Sequence, residues 1–124
     1  MDVKIIEKES SRIAIIESSD ILINNVQDAL DLIATIRHLY NCNKMVISAS
    51  SIIKSFFDLK TGIAGEILQK YTNYNMKIAI VGNFEIYNSK SLNDFIFESN
   101  KGSQVFFLPE VKAAIDRLHS VMNY

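Results

Sequence analysis

A short polar segment, residues 58–62, holds the side chains whose types and spacing best suit binding a charged group. It follows an apolar run and precedes a helical pattern, so it predicts the start of a helix. Backbone N–H groups at a helix start attract phosphate or carboxylate, and Lys60 adds a positive charge. The segment therefore predicts a contact site for an anion or a protein partner. The alternative is structural, with Asp58 or Thr61 simply capping the helix.

Two glycines, Gly62 and Gly65, lie in this segment and just after it. Their spacing matches neither a dinucleotide-binding fingerprint nor a P-loop, so no nucleotide site is predicted. If the segment has only a structural role, both glycines are expected to allow the helix to pack closely on a sheet.

Two other groups of polar and aromatic residues are candidate binding surfaces. Tyr74 and Asn83 combine apolar area with hydrogen bonding, as interfaces often do. Their structural alternative is a helix end followed by a polar loop. Glu98 is a candidate carboxylate base or hydrogen-bond acceptor beside Phe95 and Asn100. There the alternative is that Phe95 belongs to the core and Asn100 ends a helix.

Catalytic and metal-binding chemistry has little support in the sequence. His38 and His119 are the two histidines, and neither belongs to a recognisable set of nucleophile, base and acid. Cys42 is the single cysteine, so an internal disulfide is excluded and a reducing cytoplasm is predicted. We therefore predict no catalytic residue, no metal and no cofactor, and we favour a protein without enzymatic activity.

The composition is that of an ordinary folded domain. The chain has 124 residues, 48% of them hydrophobic and 22% charged, which predicts one domain spanning residues 1–124. Thirteen basic residues against fourteen acidic ones argue against nucleic acid as the main partner. No apolar run reaches the roughly 20 residues of a membrane helix, and the polar N-terminal segment does not resemble a signal peptide.

Hydrophobic periodicity predicts an α/β fold with the element order β-β-α-β-α-β-α-β-α. An opening hairpin is followed by strands that alternate with helices, which implies a mixed sheet of four or five strands with mostly parallel pairing and about four helices. Asn25 is expected to cap the first helix and Ser91 the third, while Pro109 is expected to open the fourth. The predicted strands span residues 3–8, 12–17, 45–49, 77–82 and 104–108.

The passage from the third strand into the second helix resembles a motif of the STAS fold. This is the sulfate-transporter and anti-sigma-factor-antagonist domain, also called SpoIIAA-like. In that family a strand leads to an Asp-Ser-Ser-Gly-like turn, and the second Ser of the anti-sigma antagonists accepts a phosphate. The residues here are Phe57-Asp58-Leu59-Lys60-Thr61-Gly62, with one extra residue between acid and glycine and Thr61 in place of Ser. The resemblance implies helices mainly on one face of the sheet and Thr61 as the phosphate acceptor.

Nearly the whole chain also resembles a bacterial family known as domain of unknown function 4180. The similarity is carried by two long strings, FFDLKTGIAGEILQKYTNYNMKIAIVG and FIFESNKG. The activity of that family is unknown, so this resemblance implies no catalytic residue.

Together these patterns predict a bacterial, cytoplasmic, non-enzymatic module of STAS-like type that binds a protein partner or itself and acts in regulation. The contact face is expected around the start of the second helix and the short third helix. Helices on one face would leave the other face of the sheet uncovered. Val3, Ile5, Ile13 and Ile15 are expected to form an apolar patch there that supports a homodimer.

The alternative function is a small-ligand sensor or a small enzyme. It requires the polar groups of Asp58, Lys60, Glu66 and Glu98 to converge on one concavity. Neither function is expected to involve nucleic acid or a membrane.

Overall fold

The computed structural model describes residues 1–123, which form a five-stranded sheet and four α-helices. The strands are β1 (Asp2–Lys8), β2 (Ser11–Glu17), β3 (Lys44–Ser48), β4 (Lys77–Val81) and β5 (Val105–Leu108). The helices are α1 (Val26–Tyr40), α2 (Ile63–Asn73), α3 (Lys90–Lys101) and α4 (Val111–Ser120). The predicted α/β class and element order are confirmed.

The helix starts show how far local capping chemistry determines the fold. Asn25 caps α1 as predicted, because its side-chain oxygen accepts a hydrogen bond of 2.8 Å from a backbone N–H in the first turn. The predicted cap of the third helix is wrong. Ser89, rather than Ser91, accepts the capping bond from the first turn of α3, at 3.2 Å. Pro109 lies two residues before the start of α4, so the prediction that it opens the helix is also wrong.

The sheet has the strand order β1-β2-β3-β4-β5. β1 is antiparallel to β2, as predicted for the hairpin, and the other neighbouring pairs are parallel. Because the parallel strands run in the same direction, the segments that leave β3, β4 and β5 meet at one end of the sheet. We call this end the carboxyl edge.

Helices cover both faces of the sheet, although unequally. α1, α2 and α3 pack on one face around a core that includes Ile33, Ile67 and Leu92. α4 packs on the other face through Ala114 and Leu118. We call these the three-helix face and the α4 face.

The predicted apolar patch is wrong, because its residues lie on opposite faces of the sheet. Val3 and Ile5 pack against the core of the three-helix face, whereas Ile13 and Ile15 are buried under α4. Side chains alternate between faces along a strand, and Ile5 is in register with Ala14 rather than with Ile13. For Ile13 and Ile15, α4 therefore provides the cover that was expected from a second copy.

Candidate functional site

Three connecting segments meet at the carboxyl edge of the sheet. Residues 49–62 connect β3 to α2 and contain three short 3₁₀ turns. Residues 82–89 connect β4 to α3 and contain the 3₁₀ turn Phe84–Tyr87, while residues 109–110 connect β5 to α4. In α/β sheets the end beyond the carboxyl ends of parallel strands is the usual place for a binding site.

A cluster of aromatic rings holds these segments together. Phe57 stacks on Tyr87 with ring centroids 5.2 Å apart, and its ring lies 5.8 Å from that of Phe84. Phe84 makes an edge contact with Phe107 of β5 at 5.4 Å, and Phe107 contacts Phe95 of α3 at 5.9 Å. Ring pairs of this kind contribute about 0.5–1.5 kcal/mol each beyond the burial of their area. This aromatic cluster therefore fixes the β3–α2 segment against the β4–α3 turn.

Beside the aromatic cluster lies a groove of about 440 Å³ between the turn Phe84–Tyr87 and α3. Four residues of α3 line it at the i, i+3, i+4, i+7 spacing of a single helix face, namely Asn93, Ile96, Phe97 and Asn100. Two large apolar side chains are exposed at this edge of the sheet, and one of them, Phe97, lines the groove. Phe97 is 63% exposed, and Ile86, in the turn, is 71% exposed. The carboxyl edge thus presents an apolar groove whose lining includes an exposed aromatic side chain.

The glycines at the start of α2 have a different role from the predicted one. Gly62 has a φ of 79°, a left-handed conformation that favours glycine, so the backbone there requires it. A Cβ atom added to Gly62 or to Gly65 would meet no atom from another part of the chain within 4 Å. The prediction that both glycines allow close packing on the sheet is therefore wrong.

Residues 58–61 form an exposed turn whose polar side chains bond to one another and to the adjacent backbone. The Thr61 hydroxyl lies 2.9 Å from the carbonyl oxygen of Ser55 and 2.8 Å from that of Asp58, and it donates its proton to them. It also accepts a hydrogen bond of 3.3 Å from the first N–H of α2, but the N-cap residue of that helix is Gly62. The prediction that Asp58 or Thr61 caps the helix is therefore wrong. The Asp58 carboxylate lies 3.9 Å from the Lys60 ammonium, and such an exposed ion pair contributes little stability.

The structure distributes the other predicted site residues over separate places. Asn83 and Asn100 line the groove, and Phe95 packs in the aromatic cluster. Glu98 is exposed on α3 and forms an ion pair of 3.3 Å with a lysine one turn later. Tyr74 is exposed at the far end of α2, about 16 Å from its start at 1.5 Å per residue.

The four polar residues of the alternative function remain on exposed surfaces. Asp58 and Lys60 pair with each other, and Glu66 is exposed in the first turn of α2. None of these three, nor Glu98, lines the groove. The groove is therefore lined by a different set of residues from the one that the enzyme or sensor hypothesis requires.

Asn100 has a structural role in addition to lining the groove. Its side-chain amide accepts a hydrogen bond of 2.8 Å from the Phe107 N–H and donates one of 3.0 Å to the Phe107 carbonyl oxygen. The amide thus takes the place of a neighbouring strand on the outer edge of β5. Arg117 of α4 donates to the main-chain oxygen of Asn100 and lies 4.8 Å from the Phe106 ring centre. We call this arrangement the Asn100 clamp.

A family model described as Domain of unknown function (DUF4180) matches residues 8–118. The chain belongs to this family. The matched range contains the groove, the aromatic cluster and the start of α2, so the family resemblance inferred from the sequence is confirmed. No curated protein and no solved structure matches the chain.

The DUF4180 chain also contains a buried polar cluster that sequence reasoning missed. Lys44 and Lys77 open two adjacent parallel strands in register, and each is at most 1% exposed. The Lys44 ammonium donates to the Ser11 hydroxyl and to the Val121 carbonyl oxygen, both at 2.9 Å. Nδ1 of His119 lies 2.8 Å from the same hydroxyl oxygen. One feature of the sequence could have indicated this cluster, namely a lysine at the start of each of two otherwise apolar strands.

The buried polar cluster attaches α4 and the residues after it to the sheet. A serine in contact with a histidine and a lysine has the spacing of a nucleophile and its base. Ser11 is only 7% exposed, however, and Lys44 also bonds to the segment that follows α4. We therefore interpret the cluster as a structural contact between β2, β3 and the C-terminal residues.

The stability of the protein should decrease as the pH falls below the ordinary pKa of histidine. Burial lowers the pKa of His119 from 6.5, the positive charges of Lys44 and Lys8 lower it further, and Asp116 opposes them. Below about pH 6.5 the unfolded chain therefore binds more protons than the folded one, so acid favours unfolding. Urea denaturation at pH 7.5 and 5.5 should show a loss that His119→Gln reduces, with His38→Gln as the matched histidine control. An equal loss in unmutated protein and His119→Gln would contradict this prediction.

Reactive and metal-binding groups are sparse in the described chain. Burial raises the pKa of the Cys42 thiol, which disfavours the reactive thiolate. Residues 1–123 contain no group of three or more His, Cys, Asp or Glu side chains placed to hold a metal ion. Over the same residues, no helix has the length and apolar character needed to cross a bilayer.

Proposed function

We propose that this DUF4180 chain is a non-enzymatic module of STAS-like type that binds a protein partner through the groove at the carboxyl edge. The observation that carries the proposal is the exposure of Phe97 in the lining of an apolar groove. Protein interfaces place aromatic anchors at their centre and polar groups at their rim. Asn83 and Glu85, both exposed, supply such a rim.

The lining of the groove favours a partner segment with an apolar side chain next to a positive charge. Phe84, Ile96 and Phe107 offer apolar surface to an aliphatic or aromatic anchor. Glu85 adds a negative charge to the lining, so a lysine or arginine beside the anchor would be attracted to it. The expected partner is therefore a protein segment that carries both groups close together.

Two features support a STAS-like regulatory module. The element order of the chain, β-β-α-β-α-β-α-β-α, resembles that of the STAS fold. Phe57 lies in the segment that leads from β3 into α2. Its ring contacts Phe84 and Tyr87, which belong to the turn that borders the groove. A partner in the groove would consequently lie on the same edge of the sheet as the turn that STAS-like proteins use for contact.

Phosphorylation of Thr61 is the regulatory mechanism that the STAS resemblance implies, and it stays a prediction. Thr61 is exposed, but its hydroxyl proton is shared with two backbone carbonyl groups. A phosphate would remove this donor and add close to two negative charges, so modification should open the turn before α2. Mass spectrometry of protein from its native cells would support the mechanism by detecting phosphate on Thr61, and consistently unmodified Thr61 would count against it.

Photo-crosslinking in cells tests the proposed function. The photoreactive residue benzoylphenylalanine replaces Phe97, which is 63% exposed, or, as a control, Leu39 of α1, which is 75% exposed. Crosslinked adducts are identified by mass spectrometry. We expect a small set of defined proteins attached at position 97 and absent at position 39, because the control is equally accessible but lies outside the groove.

The design distinguishes a specific contact from general surface adhesion. Adducts of the same proteins at both positions would contradict the proposal. A position-97 variant that folds, as judged by circular dichroism, and yields no protein adduct would contradict it as well. Where adducts do form, Glu85→Lys should remove them, because it reverses the charge that faces the partner.

A further inference from the structure

The two outer edges of the sheet differ in their protection. On one side, the Asn100 clamp occupies the N–H and C=O of Phe107, and β5 is only four residues long. On the other side, β1 is seven residues long and pairs with β2 along its whole length. In the described chain β1 ends the sheet, so its outer backbone groups have no strand beside them. A long edge of this kind readily accepts another strand.

We propose that two copies of the chain pair through β1 in antiparallel fashion and join their five-stranded sheets into one continuous sheet. Val3, Ile5 and Ile6 are only half-buried in one copy, so the pairing would cover apolar side chains as well as backbone groups. The partner is a second copy of this chain, because the charges of β1 are complementary to those of the same strand running in the opposite direction.

The charges of β1 select one register for this pairing. With a two-fold axis at Ile5, Asp2 of each copy lies opposite Lys8 of the second copy, and the strands pair along their full length. In any other register, the matching faces of the two sheets stay on the same side only if the strands shift by an even number of residues. A shift of two places Lys4 opposite either Lys4 or Lys8 of the second copy. Directly opposed like charges destabilise strand pairs and opposite charges stabilise them.

The same register brings two apolar side chains together at the axis of the joined sheet. On the three-helix face, the two Ile5 side chains lie opposite each other at the axis. On the α4 face, Ile6 borders a groove of about 520 Å³ that Ile15 and Val46 also line. Lys4 of the second copy would lie opposite Ile6, where its aliphatic stem covers the apolar surface and its ammonium stays in water.

Disulfide trapping tests both the pairing and its register. Cys42, the single cysteine, is first replaced by alanine, and Ile5→Cys or Val3→Cys is then introduced. Two residues at position 5 would face each other within the roughly 5.5 Å that a disulfide spans between Cα atoms. Two residues at position 3 would lie about 13 Å apart along the strands. Under mild oxidation Ile5→Cys should form an intermolecular disulfide at least ~10-fold faster than Val3→Cys.

Charge exchange provides a second measurement, with light scattering at micromolar concentrations as the readout. Asp2→Lys and Lys8→Asp each create two opposed like-charge pairs and should weaken the dimer about tenfold. The double variant Asp2→Lys/Lys8→Asp restores the opposite charges and should restore dimerisation. Asp20→Lys changes the net charge by the same amount as Asp2→Lys but lies outside β1, so it should leave the dimer unchanged.

Three results would overturn the proposal. They are a monomeric unmutated protein at concentrations up to hundreds of micromolar, trapping by Val3→Cys as fast as by Ile5→Cys, and a double charge variant no better than the single ones. Circular dichroism of each variant establishes that it is folded. Because the readout is self-association, the result is independent of the partner that binds the groove.

Discussion

Replacing Phe57 by alanine should lower the free energy of unfolding by about 3–5 kcal/mol, the usual cost of deleting a buried aromatic side chain. The Phe57 residue is 2% exposed, and its ring contacts those of Phe56, Phe84 and Tyr87. Its loss would remove the contact between the β3–α2 segment and the turn that borders the groove. Urea denaturation followed by circular dichroism measures the change.

Phe97→Ala is the matched control, because it deletes the same ring at an exposed position. Phe97 is 63% exposed and its ring lies 4.4 Å from the Lys101 ammonium. The free energy of unfolding should change by no more than about 0.5 kcal/mol, as for most surface substitutions. If Phe57→Ala cost as little as Phe97→Ala, the aromatic cluster would not be what holds the carboxyl edge together.

Asn100→Ala should lower the free energy of unfolding by about 2–4 kcal/mol, since each buried polar group that loses its partner costs about 1–3 kcal/mol. The N–H and C=O of Phe107 would both lose their side-chain partner, and Phe107 is only 3% exposed. The substitution also opens the outer edge of β5 to another strand, so the variant should aggregate more readily. Urea denaturation and light scattering measure the two effects.

Two further variants separate hydrogen bonding from side-chain volume. Asn100→Asp keeps the shape and an acceptor for the Phe107 N–H, but it places a carboxylate oxygen against the Phe107 carbonyl oxygen. It should therefore be destabilising as well. Asn93→Ala removes an exposed amide from the same face of α3 and should change stability by no more than about 0.5 kcal/mol. If the Asn100→Asp variant were as stable as the unmutated protein, the hydrogen bonds of the Asn100 clamp would not be what stabilises this edge.

Features that depend on neighbours in sequence were predictable. The Asn25 cap of α1 was recognised because capping involves residues within one helical turn. The near-continuous apolar run of β4 is the pattern of a strand covered on both faces, and four of its five residues are buried.

Features that depend on the path of the chain in space were not predictable. The run from Ile13 to Ile16 is apolar throughout, so alternation does not show which of its residues face α4. The position of α4 on the second face follows from the return path after β5, which no local pattern encodes. This is the physical reason why the apolar patch was predicted in the wrong place.

The groove was missed although its helical spacing is present in the sequence. Asn93, Ile96, Phe97 and Asn100 share one face of α3, but an apolar face usually indicates core. Here the face borders a groove because α3 packs beside the outer edge of β5, where Asn100 bonds to Phe107. The partner of Asn100 could not be read from a single sequence, since it lies on a different element.

The central claim, that the groove binds a protein partner, is tested most directly by the affinity of the crosslinked partner for three purified forms of the chain. These are the unmutated protein, Phe97→Ser and Leu39→Ser, compared by isothermal titration calorimetry. We predict that Phe97→Ser weakens binding at least ~30-fold, as expected for an aromatic anchor at the centre of an interface. Leu39→Ser should bind like the unmutated protein, although Leu39 is the more exposed side chain at 75%. Equal affinities for all three forms would contradict the account.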